Sequence, residues 1–472
     1  MPSLPSNFLP AWQQAEMVRR RDISAAELME ATLRRIDAVN PKLNAFVAMF
    51  PAEKLIAEAR AVSDRISRGE EAGPLAGLPL GVKDLEDTVG LPNTHGSLLY
   101  KDNVAQRDTI QVERLKRAGA IVIGKTNTPE FGYTCLTKNR VYGVTRNPWN
   151  LERTPGGSSG GASAAVAAGL VGLATASDGG GSVRIPASFT GLFGLKPSQG
   201  RIPWGPEEMP RFSACIVSGP LTRCVRDAAL WLDATVGEHE LDPCSLPHPG
   251  YSYVEVIERA PRRLRIAYSP TLGFACVARE VRRETEAALK ALEGCGHSVE
   301  PIDDGMEDIV LYWAGLLSNE ESAINHRHMD GRLDLLDPEY RMGLELVPPL
   351  SPSLLGDIQR CRGEVNRFMQ RIFERFDLLA TPTVASPPFA AEGPLPFTVD
   401  GNPIGSPGAA IAFTYPFNFS AHPAVSLRAG FTDDGLPVGL QLVSPRLRED
   451  LLLQVSRQYE QVRPWADRWP GI

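Results

Sequence analysis

The stretch from 155 to 200 is rich in Gly, Ser and Ala, and it limits the fold of this chain more than any other segment. Side chains this small let a backbone be buried tightly, and glycines let it turn where a Cβ would clash. Residues 162–176, mostly Ala and Gly, read as a buried core helix. They fall short of the ~20 residues that a membrane span needs. Upstream, Ser24 and Glu27 form a capping box that opens a helix stopping before Pro41. Ile56, Ala59, Val62 and Ile66 mark a second amphipathic helix, closed by Gly69. Residues 78–82 and 120–123 read as buried strands, and 109–118 as a helix. Further on, helices are expected at 226–236, 281–292 and 354–376, and strands at 264–268, 378–381, 424–427 and 438–442. Strands alternating with helices predict an α/β fold with a large mixed, mostly parallel sheet between helices. No linker divides the chain. A single domain over 1–472 is expected, with N-terminal helices in 1–70, a core in 71–230, and the rest of the sheet and covering helices in 231–472.

Composition excludes several classes. The 472 residues are 43% hydrophobic and 22% charged, enough apolar material to rule out a disordered chain. The 43 glycines and 40 prolines have no period, so they predict many tight loops rather than a fibre. The net charge is −7, and the densest basic patches, 19–21 and 262–265, are short. No nucleic-acid partner is expected. Seven irregularly spaced cysteines argue against a disulfide framework or a zinc site. Reduced thiols and an N-terminus without a signal pattern predict a cytoplasmic protein with no membrane partner.

Two short motifs match by letter and fail by context. Gly119-Ala-Ile-Val-Ile-Gly124-Lys125-Thr126 fits the phosphate-loop pattern, but its variable residues are strand formers and Pro129 follows. Gly156-Gly-Ser158-Ser-Gly160 fits the nucleophile elbow, but the proline-containing segment before it cannot be a central strand. His422, beside Pro423, is expected to be packed or solvated rather than a triad member. His326 and His328 point to different faces of a helix, and no metal site is expected.

Three polar residues stand in unusually constrained surroundings. Lys83 ends the strand-like Gly77-Leu-Pro-Leu-Gly-Val-Lys-Asp84, Ser158 lies in Pro155-Gly-Gly-Ser-Ser-Gly-Gly161, and Ser182 follows Asp178-Gly-Gly-Gly181. Ser158 or Ser159 is expected to cap the helix that follows. Three glycines before Ser182 let backbone N–H groups turn inward, as an oxyanion hole requires. A lysine entering such an interior is desolvated, its pKa falls, and the neutral amine can act as a base. A serine nucleophile, a serine relay and a lysine base suffice for acyl transfer without histidine, metal or cofactor.

At these residues the sequence resembles the amidase-signature family. Gly156–Gly161, Asp178–Pro186 and Gly194-Leu-Lys-Pro197 match its signature. Gly81–Asp84 and Gly124–Phe131 match its upstream blocks, and Pro382-Thr383 with 423–442 its C-terminal ones. The resemblance implies a Ser–cisSer–Lys triad: Ser182 as nucleophile, Ser158 after a cis peptide as the bridge, and Lys83 as base. It implies an oxyanion hole from the N–H groups of Gly179, Gly180, Gly181 and Ser182, with Asp178, Arg184 and Ser159 in support. Gly179 departs from the family pattern, where a side chain is commoner, and a looser hole or a wider acyl pocket is expected. Tyr133, Thr134 and Cys135 fall where relatives place pocket walls. Trp204, Met209, Phe212 and Ile216 follow the signature, and each is open to reading as pocket lining or as loop packing.

The implied activity is cleavage of small-molecule C–N amide bonds through an acyl-enzyme. Apolar or aryl amides fit best, with carbamates (urethanes), esters and nylon-type oligomers also in range. Segments 147–150 and 182–187 resemble the nylon-oligomer hydrolases in particular, beside aryl acylamidases and carbamate-cleaving amidases. A rival reading is the glutamine-hydrolysing A subunit of a tRNA-dependent amidotransferase complex, although 426–430 does not resemble the C-terminal block of such proteins. Beyond a small-molecule substrate, the expected partner is a second copy in a homodimer.

Overall fold

The apolar runs become strands of one sheet. A computed structural model describes residues 6–206 and 211–472. Its main sheet has eleven strands: β1 (Phe46–Met49), β2 (Pro79–Lys83), β3 (Ile121–Thr126), β4 (Leu173–Asp178), β5 (Phe193–Lys196), β6 (Val217–Thr222), β7 (Arg265–Tyr268), β8 (Ser298–Pro301), β9 (Leu378–Pro382), β10 (Ala424–Phe431) and β11 (Pro437–Val443). They lie in the order β1-β3-β2-β4-β6-β5-β10-β11-β9-β7-β8. Central strands β2, β3, β4, β6, β9 and β11 are buried along their whole length.

The sheet is mixed, as expected, but not mostly parallel. Among the described residues, four neighbouring pairs are parallel. Six are antiparallel. The excess arises in the middle of the sheet. Parallel neighbours need a long crossover, whereas a short return makes antiparallel ones. Residues 432–436 turn β10 directly into β11, with Gly435 at φ +83°. No helix lies between β5 and β6 among the described residues either.

The segment 162–176 is not one helix. A helix spans Gly160–Ala167, Gly169 turns the chain at φ +70°, and β4 follows. Every residue of that helix is buried, and it packs on β2, β3, β4 and β6. Ser159 sits at its N-cap without a side-chain cap; its Oγ donates instead to the Ser177 carbonyl (3.4 Å). The capping box of the helix Ala25–Leu43 does form, Ser24 Oγ accepting the Glu27 N–H at 3.1 Å and Glu27 accepting the Ser24 N–H at 2.8 Å. That helix includes Pro41 in its last turn rather than stopping before it. No helix among the described residues is long and apolar enough to cross a membrane.

One consequence of the strand order matters for chemistry. β3, β2 and β4 are parallel neighbours, so their C-terminal ends open on the same edge. Loops leaving that edge are where α/β sheets gather functional groups.

Candidate active site

Lys83 is the last residue of β2, and its side chain is fully buried. Its Nζ lies 2.8 Å from Ser158 Oγ and 3.1 Å from Ser177 Oγ. Its backbone N–H donates to Thr175 Oγ1 at 2.9 Å. Burial pulls the amine down to about 7, against the pull of Glu86 and Asp178. The neutral amine is therefore much more accessible near neutral pH than in a lysine exposed to water, which is almost wholly charged.

The Gly157–Ser158 peptide is cis. Gly157 packs on the chain opposite, where a Cβ would sit 2.7 Å from the Thr134 carbonyl oxygen and 2.9 Å from Cys135 Cα. Gly132, at φ +72°, leaves room for Ser158 in the same way, since a Cβ there would come within 3.1 Å of Ser158 Oγ. The block after β3 thus lies against the cis peptide. Thr134 and Cys135 are backbone neighbours of it, the buried Cys135 thiol being pushed up to about 12 by burial. Tyr133 turns outward, edge-on to Tyr340 at 5.0 Å. The Trp204 backbone N–H donates to Asp242 Oδ2 at 2.9 Å, and the carbonyl of Gly205 accepts the Ile110 N–H. Phe212 is exposed. Met209 lies outside the described residues.

The loop after β4 is built around Asp178. Its carboxylate accepts the N–H of Gly181 at 2.7 Å and of Val183 at 3.2 Å, and two N–H bonds from Arg184 at 2.9 Å each. Asn418 Nδ2 donates to the same carboxylate at 2.8 Å. Burial opposes its ionisation, but the Arg184 guanidinium outweighs it and holds the acid well below the usual carboxylate range. Arg184 reaches on to the Thr414 carbonyl, Gln441 Oε1 and Asn418 Oδ1. Breaking one half of such a buried pair costs about 3–5 kcal/mol.

Gly181 therefore spends its N–H on Asp178, whereas the N–H groups of Gly179, Gly180 and Ser182 have no acceptor among the described residues. Gly179 has Ile216 beside it, 3.1 Å from where a Cβ would stand. Ser182 is half-buried, and its Oγ has no hydrogen-bond partner among the described residues. The structure thus joins Lys83 to Ser158 directly, with Ser182 on the next loop.

Several residues of this site are not singled out by the sequence. Thr175 and Ser177 alternate on β4 (Leu-Ala-Thr-Ala-Ser-Asp), so both polar groups face Lys83 from one side of the strand, and that period-two spacing is the signal that could have found them. Trp313, Thr414, Asn418 and Gln441 carry no local signal, because they come from segments more than 100 residues away. The two rejected motifs behave as argued. Residues 121–126 are strand, with Lys125 buried and bonded to the Glu86 carbonyl and to Asn93. His422 is buried beside Phe373, drawn down to about 3 by burial. No group of three metal-binding side chains exists among the described residues. Two surface cavities, of about 480 Å³ around Arg265 and Phe376 and about 650 Å³ around Trp12 and Arg226, share no residue with this cluster.

Known proteins are similar to this chain in sequence and in fold. The chain is 39% identical over 474 residues to an acylamidase of Rhodococcus erythropolis, covering 98% of both chains. It is 34% identical to the A subunit of a glutamyl-tRNA(Gln) amidotransferase of Geobacillus kaustophilus, covering 97% of both. Among solved structures, a bacterial aryl acylamidase of the amidase signature enzymes superposes with a TM-score of 0.91 at 30% identity, over 98% of this chain and 97% of that one. A 6-aminohexanoate cyclic dimer hydrolase gives 0.89 at 33% identity, over 99% of both. The family model for amidases matches residues 27–453, the span that holds every strand of the sheet and every side chain of the cluster, and on that ground the chain belongs to the amidase family and hydrolyses amides.

Proposed function

We propose that the chain is a serine amidohydrolase acting on apolar or aryl amides, with Ser182 as nucleophile, Ser158 as relay and Lys83 as base. The observation that carries this reading is the contact between Lys83 Nζ and Ser158 Oγ, 2.8 Å long and closed to water, with the amine poised near pH 7. Neutral Lys83 takes the Ser158 proton while Ser158 takes that of Ser182. The Ser182 oxygen adds to the amide carbonyl carbon. The tetrahedral oxyanion is received by the N–H groups left free on the glycine loop. The C–N bond then breaks, and the proton returns through Ser158 to the departing amine. Water repeats the sequence on the acyl-enzyme and restores Ser182. The Ser158–Ser182 link closes when a substrate draws the groups together, since catalytic hydrogen bonds are commonly long before substrate binds.

Carbamates, esters and nylon-type oligomers fall within the same chemistry, and the likeness to an acylamidase and to a cyclic dimer hydrolase favours uncharged acyl groups. The relative that serves an amidotransferase is the less similar one, at 34% against 39%. Purified chain should therefore hydrolyse an anilide and leave glutamine intact. The deciding experiment is covalent. A fluorophosphonate should add to Ser182, located by mass spectrometry, and Ser182→Ala should cost about 10⁴-fold or more in turnover. An adduct on Ser158 or Ser159 would reverse the assignment of roles.

A further inference from the structure

The loop that offers N–H groups beside Ser182 is gripped from outside by an indole. Trp313, on the first turn of the helix Val310–Met329, donates its Nε1–H to the Gly179 carbonyl at 2.8 Å. Its six-membered ring occupies the place where a side chain at position 180 would stand. Thr414 Oγ1 donates to the next carbonyl, that of Gly180, at 2.6 Å. In a trans peptide the C=O of one residue and the N–H of the next point in opposite directions. Holding the Gly180 carbonyl therefore fixes the Gly181 N–H, and that group goes to Asp178. Holding the Gly179 carbonyl likewise fixes the Gly180 N–H, which no group among the described residues accepts.

The indole is itself held. It stacks on the fully buried Tyr415, centroids 5.2 Å apart and planes 19° apart. The Tyr415 hydroxyl donates to Asp308 Oδ1 at 2.7 Å, and that oxygen also accepts the Val310 N–H at the start of the same helix. One carboxylate thus ties together the start of the helix and the ring that backs the indole.

We propose that Trp313 is a positioning residue for amide hydrolysis: through its Nε1–H it sets the Gly179–Gly180 peptide so that the Gly180 N–H meets the developing oxyanion. The proposal rests on Ser182 being the nucleophile. It assigns the indole no contact with the reacting atoms. The ring stack and the helix survive if only the N–H is lost, so the role separates from simple packing.

Two variants of the full-length chain test it, Trp313→Phe and Trp313→3-benzothienylalanine, the second keeping the outline of the indole without its donor. On an anilide, kcat should fall about 10- to 100-fold with KM nearly unchanged, since an oxyanion donor is lost only in orientation. The inhibition constant of an aryl trifluoromethyl ketone, whose adduct carries an oxyanion on the nucleophile, should rise by the same factor, and Tm should stay at the wild-type value in the benzothienyl variant. Unchanged kcat and ketone affinity in both variants overturn the proposal, as does a loss of kcat in which ketone affinity is untouched. Fluorophosphonate labelling of the wild-type enzyme runs alongside. An adduct away from Ser182 overturns the nucleophile assignment and this inference together, whereas an adduct on Ser182 with fully active variants overturns this inference alone.

Discussion

In the proposed cycle Lys83 has to accept a proton, and an ordinary lysine at pH 7 already carries its full complement. Here the strand delivers the amine into a dry interior, and burial brings it down to about 7. For an uncharged anilide, kcat/KM should rise about tenfold per pH unit below pH 7 and level off above it. Lys83→Met should remove that limb along with most of the activity. A rate that fell as pH rose through 7 would rule out a neutral-amine base. Ser158→Ala should be nearly as damaging as Ser182→Ala, because groups that act as a unit are not additive.

Among the elements, the helix Gly160–Ala167 shows how small side chains become a positional requirement. Of its N-terminal glycines, Gly160 packs on the Thr137 side chain and Gly161 on other backbones. A Cβ on Gly161 would overlap the Asn127 N–H and come within 2.7 Å of the Asn127 oxygen and 2.8 Å of the Ala45 oxygen. Backbone cannot move aside as a side-chain tip can. Gly161→Ala should therefore cost about 3 kcal/mol, at the upper end for overpacking, read from the urea midpoint of unfolding. A midpoint within error of the wild type would show that β3 and this helix can part. The close fit has a purpose in the layout: the same helix start carries Ser158 and Ser159, so its distance from β2 sets the distance from Lys83.

For the whole molecule, the buried amines shape the pH dependence of stability. Lys83 and Lys196 are both lowered to about 7, chiefly by burial and, for Lys196, also by Arg184. In the unfolded chain they titrate near 10.5. Between these values the unfolded chain binds protons that the native state does not, so stability rises with pH. Below about 7 both states are protonated and the slope vanishes. Above pH 9 the raised thiols Cys135 and Cys215, at about 12 and about 11, act the other way, because the unfolded chain then loses protons that the native state keeps. Tm should accordingly climb from pH 7 to 9, and Lys196→Met should reduce the slope. A Tm that declines across that window would mean that these amines stay charged when buried.

Local pattern determined much of this protein. The capping box at Ser24, the strand that ends in Lys83 and buries its amine, and the strand at 121–126 behind a false phosphate loop all follow from near neighbours in the chain. Polar spacing and apolar runs are local quantities, and they survive whatever the rest of the chain does. What local pattern misjudged was set by distant partners. Residues 162–176 divide into helix and strand because β4 finds β2 and β6 to pair with. The sheet is more antiparallel than parallel because of how its middle strands return. The Gly181 N–H is spent on Asp178 three residues before it, but that carboxylate is held by Asn418, and the glycine loop is gripped by Trp313 and Thr414, partners that lie 130 residues or more along the chain. Only the packed fold brings such groups within hydrogen-bonding reach, so only the tertiary structure could decide which donors remain for a substrate.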